Sequence, residues 1–324
     1  IRDRAMGYGV ALGQLDIDID IEQAPFRYSD TADDNRVSRL IDKLNSKQIK
    51  LDYTREHGYL RSLLAALEIP ESSQTLVFSK TSMQVRYISR RNPRAIYFND
   101  DTYLGWVNGS SIVEISTVDP KLGAVFYTVD MAPWHPKMQR ANYECLGCHA
   151  TSMTQGIPGH TVRSVLASYD GSVDSQRESF ITDDRSPFHE RWGGWYVTGL
   201  HGEMRHMGNA YLRGGTLDTK ANGNRSNVRD EFDSSNYLSP HSDIVALMLL
   251  EHQTQMHNTM VRADFSVRQW LHEASLIEPT DESKQEWQLQ LQLIAKEVVD
   301  RLLFCDEVRL TSEVKGSIVV ANDF

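Results

Sequence analysis

Between residues 76 and 129 the chain repeats one pattern five times: a short run of β-branched and aromatic residues, then a turn. The runs are LVFS (76–79), AIYFN (95–99), YLGWV (103–107), SIVEIST (111–117) and AVFYTV (124–129). Asn92-Pro93, Asn99-Asp100-Asp101, Asn108-Gly109 and Asp119-Pro120 stand between them. Runs this short cannot make stable helices, and Pro, Gly and Asn stop each from continuing into the next. The pattern therefore predicts an antiparallel meander, with Asn108-Gly109 suited to a tight hairpin.

On both sides of the meander the period changes. Helices are predicted within 33–47 and 57–67, the latter carrying Leu60, Leu63, Leu64 and Leu67 at helical spacing and stopped by Pro70. The first 30 residues read as an extended arm, where LDIDIDI (15–21) alternates as an edge strand does. Two long helices are predicted near the end. The first, 239–262, carries Ile244, Leu247, Met248 and His252; the second, 283–304, carries Trp287, Leu291, Ile294, Val298 and Leu302 as an apolar stripe. GSIVVANDF (316–324) has the composition of a returning strand. The expected fold class is α+β: a small antiparallel sheet with flanking helices and an irregular middle region that holds the chemistry. Residues 1–130 (arm, helices and meander) and 131–324 are the expected units, divided or joined in one continuous domain.

The middle region, 131–224, is rich in His, Met, Trp, Gly and Arg, and contains Cys145-Leu146-Gly147-Cys148-His149. This C-x-x-C-H spacing is the signature of covalent haem attachment. Two thiols must add to the two vinyl groups on one porphyrin edge, so they must emerge from one turn of chain. The next residue then lies beneath the iron, where His149 supplies a nitrogen ligand. Other readings of the two thiols fit less well. A zinc site needs two further ligands, and Cys305 stands alone far downstream. A thioredoxin-type dithiol needs a strand running into the motif, and Asn142-Tyr143-Glu144 is not one. A plain disulfide makes no use of His149.

On these residues the chain resembles a c-type cytochrome carrying one haem c. Small cytochromes of that kind place the motif near the start of a helical domain and draw the sixth ligand from a Met-Pro pair. Here the motif is central and no Met-Pro occurs. NPRAIYFND, CLGCH, FHERWGGWYVTG and RHMGNA extend the likeness to a large group of uncharacterised bacterial cytochrome-c-domain proteins. The resemblance implies export, since haem is joined to such motifs outside the cytoplasm, in bacteria in the periplasm. Residue 1 is isoleucine, with no basic-then-apolar leader, which reads as a processed mature form.

The other iron face requires a second source. HGEMRHMGN (201–209) offers His201, Met204, His206 and Met207 between glycines, with His206 and then Met207 as the first expectations and a plain packing role as the rival. His252 and His257 on the first late helix are further candidates, though five residues put them roughly 140° apart around it. Trp192, Trp195 and Tyr196 are expected to wall the crevice or to form core. Arg163, Arg185, Arg191 and Arg205 surround this region in sequence and are expected partners for the anionic propionates, Arg191 and Arg205 being the two put forward.

A formal charge of −10 argues against a nucleic-acid partner. Acidic concentrations at 16–22 and 281–286 serve as a solvated surface or as a docking face for a basic redox partner protein. No apolar run reaches the length of a membrane span. The expected function is thus an exported, iron-containing electron-transport protein of one haem. The alternatives are a peroxidase-like haem enzyme with an open distal site, and a haem-bearing scaffold that forms homo-oligomers through the N-terminal arm.

Overall fold

The computed structural model describes residues 19–317 and 320, apart from 135, 175, 178 and 221. Most of the LDIDIDI edge-strand expectation, and the end of GSIVVANDF, lie outside the described residues. The architecture is α+β. Strands β1 Thr75–Val77, β2 Arg94–Phe98, β3 Thr102–Val107, β4 Ile112–Asp119, β5 Gly123–Asp130 and β6 Met138–Arg140 form one sheet in chain order, antiparallel throughout. The meander is present as expected, and β6 extends it. Two small ribbons follow: β7 Arg163–Val165 with β8 Ser179–Ile181, and β9 Tyr211–Arg213 with β10 Thr216–Asp218. The helices are α1 Arg36–Asn45, α2 Leu60–Ala66, α3 Tyr143–His149, α4 Ile244–Leu276 and α5 Asp281–Leu302. No helix among the described residues is long and apolar enough to cross a membrane.

Alternation along the strands divides the sheet into two faces. One face carries Ala95, Tyr97, Leu104, Trp106, Val113, Ile115, Val125, Tyr127 and Val129. It packs against Val37 and Leu40 of α1 and Leu60, Leu63 and Leu64 of α2. Complete burial of side chains of this size stabilises the fold by roughly 1.5–3 kcal/mol each. Ala167, Tyr196, Val228, Phe232 and Tyr237 join the same core, so both halves of the chain contribute to it.

The opposite face is set by register. Ile96, Gly105, Glu114 and Thr128 are paired in one row across four strands, and Phe98, Tyr103, Ser116 and Phe126 in the next. Part of this face is covered by a second core that includes Val77, Phe98, Tyr103, Phe188, Trp192, Trp195, Val197, Ile244 and Leu247. The rest is open.

Three local expectations are revised. Residues 19–30, expected as an extended arm, form successive turns that insert Phe26 and Tyr28 into the interior. Phe26 stacks on Phe265 at 4.4 Å, and the Tyr28 hydroxyl donates to the Ala124 carbonyl at 2.7 Å. Helix α4 continues to Leu276 rather than ending near 262, because no Gly or Pro interrupts it before Pro279 and Phe265 and Trp270 keep burying its inner face. In α5 the apolar stripe is only partly used: Ile294 is buried, whereas Leu291 and Leu302 are exposed.

Candidate cofactor-attachment site

Cys145, Cys148 and His149 sit at i, i+3 and i+4 of helix α3, a spacing that aligns them along one helical face. All three line a cavity of about 600 Å³, within the range of cofactor sites. Its floor is the open face of the sheet: Ile96, Tyr103, Gly105, Glu114, Ser116, Phe126 and Thr128. The loop after β1 contributes Lys80, Ser82, Met83 and Val85, and the β7–β8 ribbon contributes Arg163, Arg177 and Ser179. Gly105 leaves room in this floor for the side chain of Arg94. A Cβ there would lie 2.5 Å from Nε of Arg94, whose guanidinium lies over the strand.

The imidazole of His149 is held from behind. Its Nδ1 lies 2.9 Å from the Gly159 carbonyl. A carbonyl only accepts, so Nδ1 carries the proton and Nε2 keeps a free lone pair. The Gly159 N–H returns to the His149 carbonyl at 2.9 Å. Phe126 packs against the ring with centroids 4.7 Å apart. The support continues into α4: Asn258 accepts from the His160 N–H at 2.9 Å and donates to the His160 carbonyl at 2.7 Å. A Cβ at Gly159 would lie 2.4 Å from the Asn258 side-chain oxygen, so only glycine lets these segments meet. Burial lowers the His149 pKa, keeping the ring neutral and able to bind a metal.

The charges in the cavity are partly paired. Arg94 meets Glu114 at 3.1 Å, Lys80 meets Asp170 at 3.1 Å, and Arg177 meets Asp174 at 3.1 Å. Nε of Arg94 and Nε of Arg163 are buried without hydrogen-bond partners. Buried N–H groups of this kind suit a carboxylate supplied by a ligand. The Cys145 thiol is pushed up to about 12, mainly by burial, with Glu114 and Glu144 adding to it. That is opposite to the lowered thiol pKa of a catalytic dithiol. A thiol pair on one helix face, a neutral imidazole beside it, a flat apolar floor and unpaired guanidinium N–H groups together fit haem.

Arg163 is brought into the cavity; the other expected residues are placed elsewhere. Trp192 is fully buried and donates Nε1–H to Glu251 at 3.1 Å, and Arg191 pairs with Glu251 at 2.5 Å. Trp195 donates to the Arg163 carbonyl at 2.8 Å. Arg205 is exposed, 3.6 Å from Glu203, and Arg185 donates to the Cys305 carbonyl. His206 packs against Trp192, Phe188 and His201. Met207 accepts a weak hydrogen bond from Ser164 at 3.7 Å. His252 lies 3.4 Å from Asp184 and stacks on Phe304, and His257 is 3.0 Å from the Tyr103 hydroxyl. None of Trp192, Trp195, Arg191, Arg205, His206 and Met207 lines the cavity of Cys145, Cys148 and His149. Met83, Arg94, Gly105, Phe126, Gly159 and Asn258 went unnoticed in the sequence. Glycine inside YLGWV, and a Gly-His pair ten residues after the motif, were the available signals.

Buried imidazoles also set an acid response. His206 is pushed down to about 3, chiefly by burial and next by His201. Burial likewise lowers His149, His160 and His257. Unfolded histidine protonates near 6.5, so at lower pH the unfolded chain binds more protons, and stability falls as pH falls. Glu251, raised by burial against the pull of Arg191, acts oppositely, losing stability as pH climbs above about 4.5. Below pH 4.5 that opposition ends, and depressed carboxyls such as Asp170 act in the same direction as the histidines. Urea unfolding between pH 4.5 and 3 is expected to lose about 1.4 kcal/mol per pH unit on account of His206. His206→Gln should flatten the slope by that amount; an unchanged slope contradicts the assignment.

No protein-family profile, curated protein or solved structure matches the chain.

Proposed function

We propose that the protein is an exported c-type cytochrome, periplasmic in a bacterium, that carries single electrons between redox partners through one covalently attached haem. The observation that carries this reading is the placing of Cys145, Cys148 and the free lone pair of His149 on one helix face beside a single cavity. In this reading the two cysteines form thioether links and Nε2 of His149 binds the iron. When bound, the haem supplies a reversible one-electron iron couple. The protein's own residues orient and shelter it. The Gly159 carbonyl fixes the His149 ring, and the Asn258 clamp holds that carbonyl through the adjoining peptide. Ile96, Gly105 and Phe126 give flat apolar surface, and Arg94 and Arg163 offer N–H groups to the propionates.

Met83 is the candidate for the sixth ligand. Apart from Glu144, which sits on α3 with His149 itself, the other groups in the cavity with the chemistry to bind iron are engaged. The Tyr103 hydroxyl meets His257 and Gln253, that of Tyr127 meets Asp33 and Asn35, Lys80 meets Asp170, and Glu114 meets Arg94. The Met83 side chain is 45 % exposed and has no such tie among the described residues. Thioether ligation raises the reduction potential relative to imidazole.

Absorption and magnetic-circular-dichroism spectra of the purified protein test the reading. The expected ferric spectrum is six-coordinate and low-spin, with a weak thioether band at the red end. Met83→Ala should abolish that band, convert the iron to high spin and lower the potential. A wild-type spectrum that is already high-spin and binds azide or cyanide quickly indicates a haem enzyme with an open distal face instead.

A further inference from the structure

His201 and His206 lie together in the interior, 1 % and 2 % exposed, with ring centroids 4.7 Å apart. Nδ1 of His201 meets the Met204 carbonyl at 2.8 Å, so that nitrogen carries the proton and Nε2 holds the lone pair. Nε2 of His201 and Nε2 of His206 are both buried without a hydrogen-bond partner. Nδ1 of His206 is likewise buried without a hydrogen-bond partner. A histidine kept only for packing normally finds a donor for its buried lone pair, and here neither does. Phe188 and Trp192 are the aromatic neighbours, and half-buried Met204 packs against the same core.

We infer that His201 and His206 form a second metal site, distinct from the haem cavity, that binds a single copper ion as Cu(I) with thioether support from Met204. Three observations select this ion. Two imidazoles bound to one ion at ~2.0 Å place their centroids on the order of 5 Å apart, as these are. No group of three or more His, Cys, Asp or Glu suited to a metal occurs among the described residues, so a four-ligand zinc site cannot be assembled. Met204, three residues after His201 and two before His206 and packed against the same core, offers a thioether, and thioethers select Cu(I). Met207 is already engaged by Ser164, which leaves Met204 as the freer sulfur. A monovalent ion among uncharged donors is the least costly charge to place inside a protein. The carbonyl of Met204 fixes the tautomer of His201, as outer-shell acceptors do at metal sites.

The test is an anaerobic Cu(I) titration of the haem-loaded protein against a chromophoric chelator, in a Cys305→Ser background to remove the remaining thiol. The expected result is about one Cu(I) bound, lost in His201→Ala and in His206→Ala, and kept in the exposed control His189→Ala. Any ion held by free thiols at Cys145 and Cys148 survives His201→Ala and is thereby separated from this site. Because truncating a buried histidine can unfold the chain, Met204→Leu is the second variant. It should weaken Cu(I) binding at least tenfold while far-ultraviolet circular dichroism is unchanged. X-ray absorption of the copper-loaded wild type should show imidazole and sulfur scattering. No Cu(I) bound by the wild type, binding undiminished in both histidine variants, scattering without imidazole, or zinc bound as tightly as Cu(I) would each overturn the inference.

Discussion

Glu251→Leu is expected to destabilise the protein by about 3–5 kcal/mol, the largest effect of any single substitution proposed for this chain. Glu251 is completely buried and lies 2.5 Å from Arg191, itself 2 % exposed. It also accepts from Trp192 Nε1 at 3.1 Å. Removing it strands a guanidinium that cannot shed its proton, and orphans an indole N–H as well. The opposite change is gentler. In Arg191→Met the carboxyl can take up a proton, a form that burial favours by raising its pKa against the pull of the guanidinium. Urea unfolding at pH 7 should therefore rank Glu251→Leu well below Arg191→Met. Equal costs would show that the charge pair does not carry the energetics of this region. The pair matters to the site because it ties the 188–196 segment to α4, and α4 also bears Asn258, which supports His149 from behind.

Cys145→Ala combined with Cys148→Ala is expected to abolish covalent haem. Extraction of the denatured variant with acidified organic solvent should leave the polypeptide colourless, whereas the wild type stays coloured. Either single variant retains one thioether and should give a haemochrome band shifted from that of the doubly linked form. His149→Ala leaves both links in place, so it should keep the colour on the polypeptide while losing the low-spin spectrum. If the double variant retains as much covalent porphyrin as the wild type, attachment does not run through these thiols.

The meander was legible because strand runs and turn pairs are local signals. Helix α1 was legible for the same reason: Asn35 caps it, accepting from the N–H groups of Val37 and Ser38, and Leu40 follows at helical spacing. The placing of Cys145, Cys148 and His149 together needs only the i, i+3, i+4 geometry of one short helix, so it too was visible in five residues. What surrounds it was not. Strand β3 is buried at every position, so alternation could not tell which face meets the core and which floors a cavity. Register decides that, and register depends on all the strands at once. The expectation that FHERWGGWYVTG walls the crevice rested on nearness in sequence. The fold instead sends Trp192 and Trp195 to the second core and draws Met83, Arg94 and Phe126 to the cavity from strands and a loop earlier in the chain. The same holds for HGEMRHMGN, whose two histidines meet each other rather than α3. The clamp on His149 joins residues about a hundred positions apart, which no window of sequence displays.

The most direct test is the mass of the denatured wild-type polypeptide, purified from a host that exports it and attaches haem, together with its pyridine-haemochrome spectrum. The expected result is a chain heavier than its amino acids by one haem, with the absorption of a doubly thioether-linked group. A mass equal to the amino acids alone, with no haemochrome colour, would contradict covalent attachment and with it the electron-carrying role.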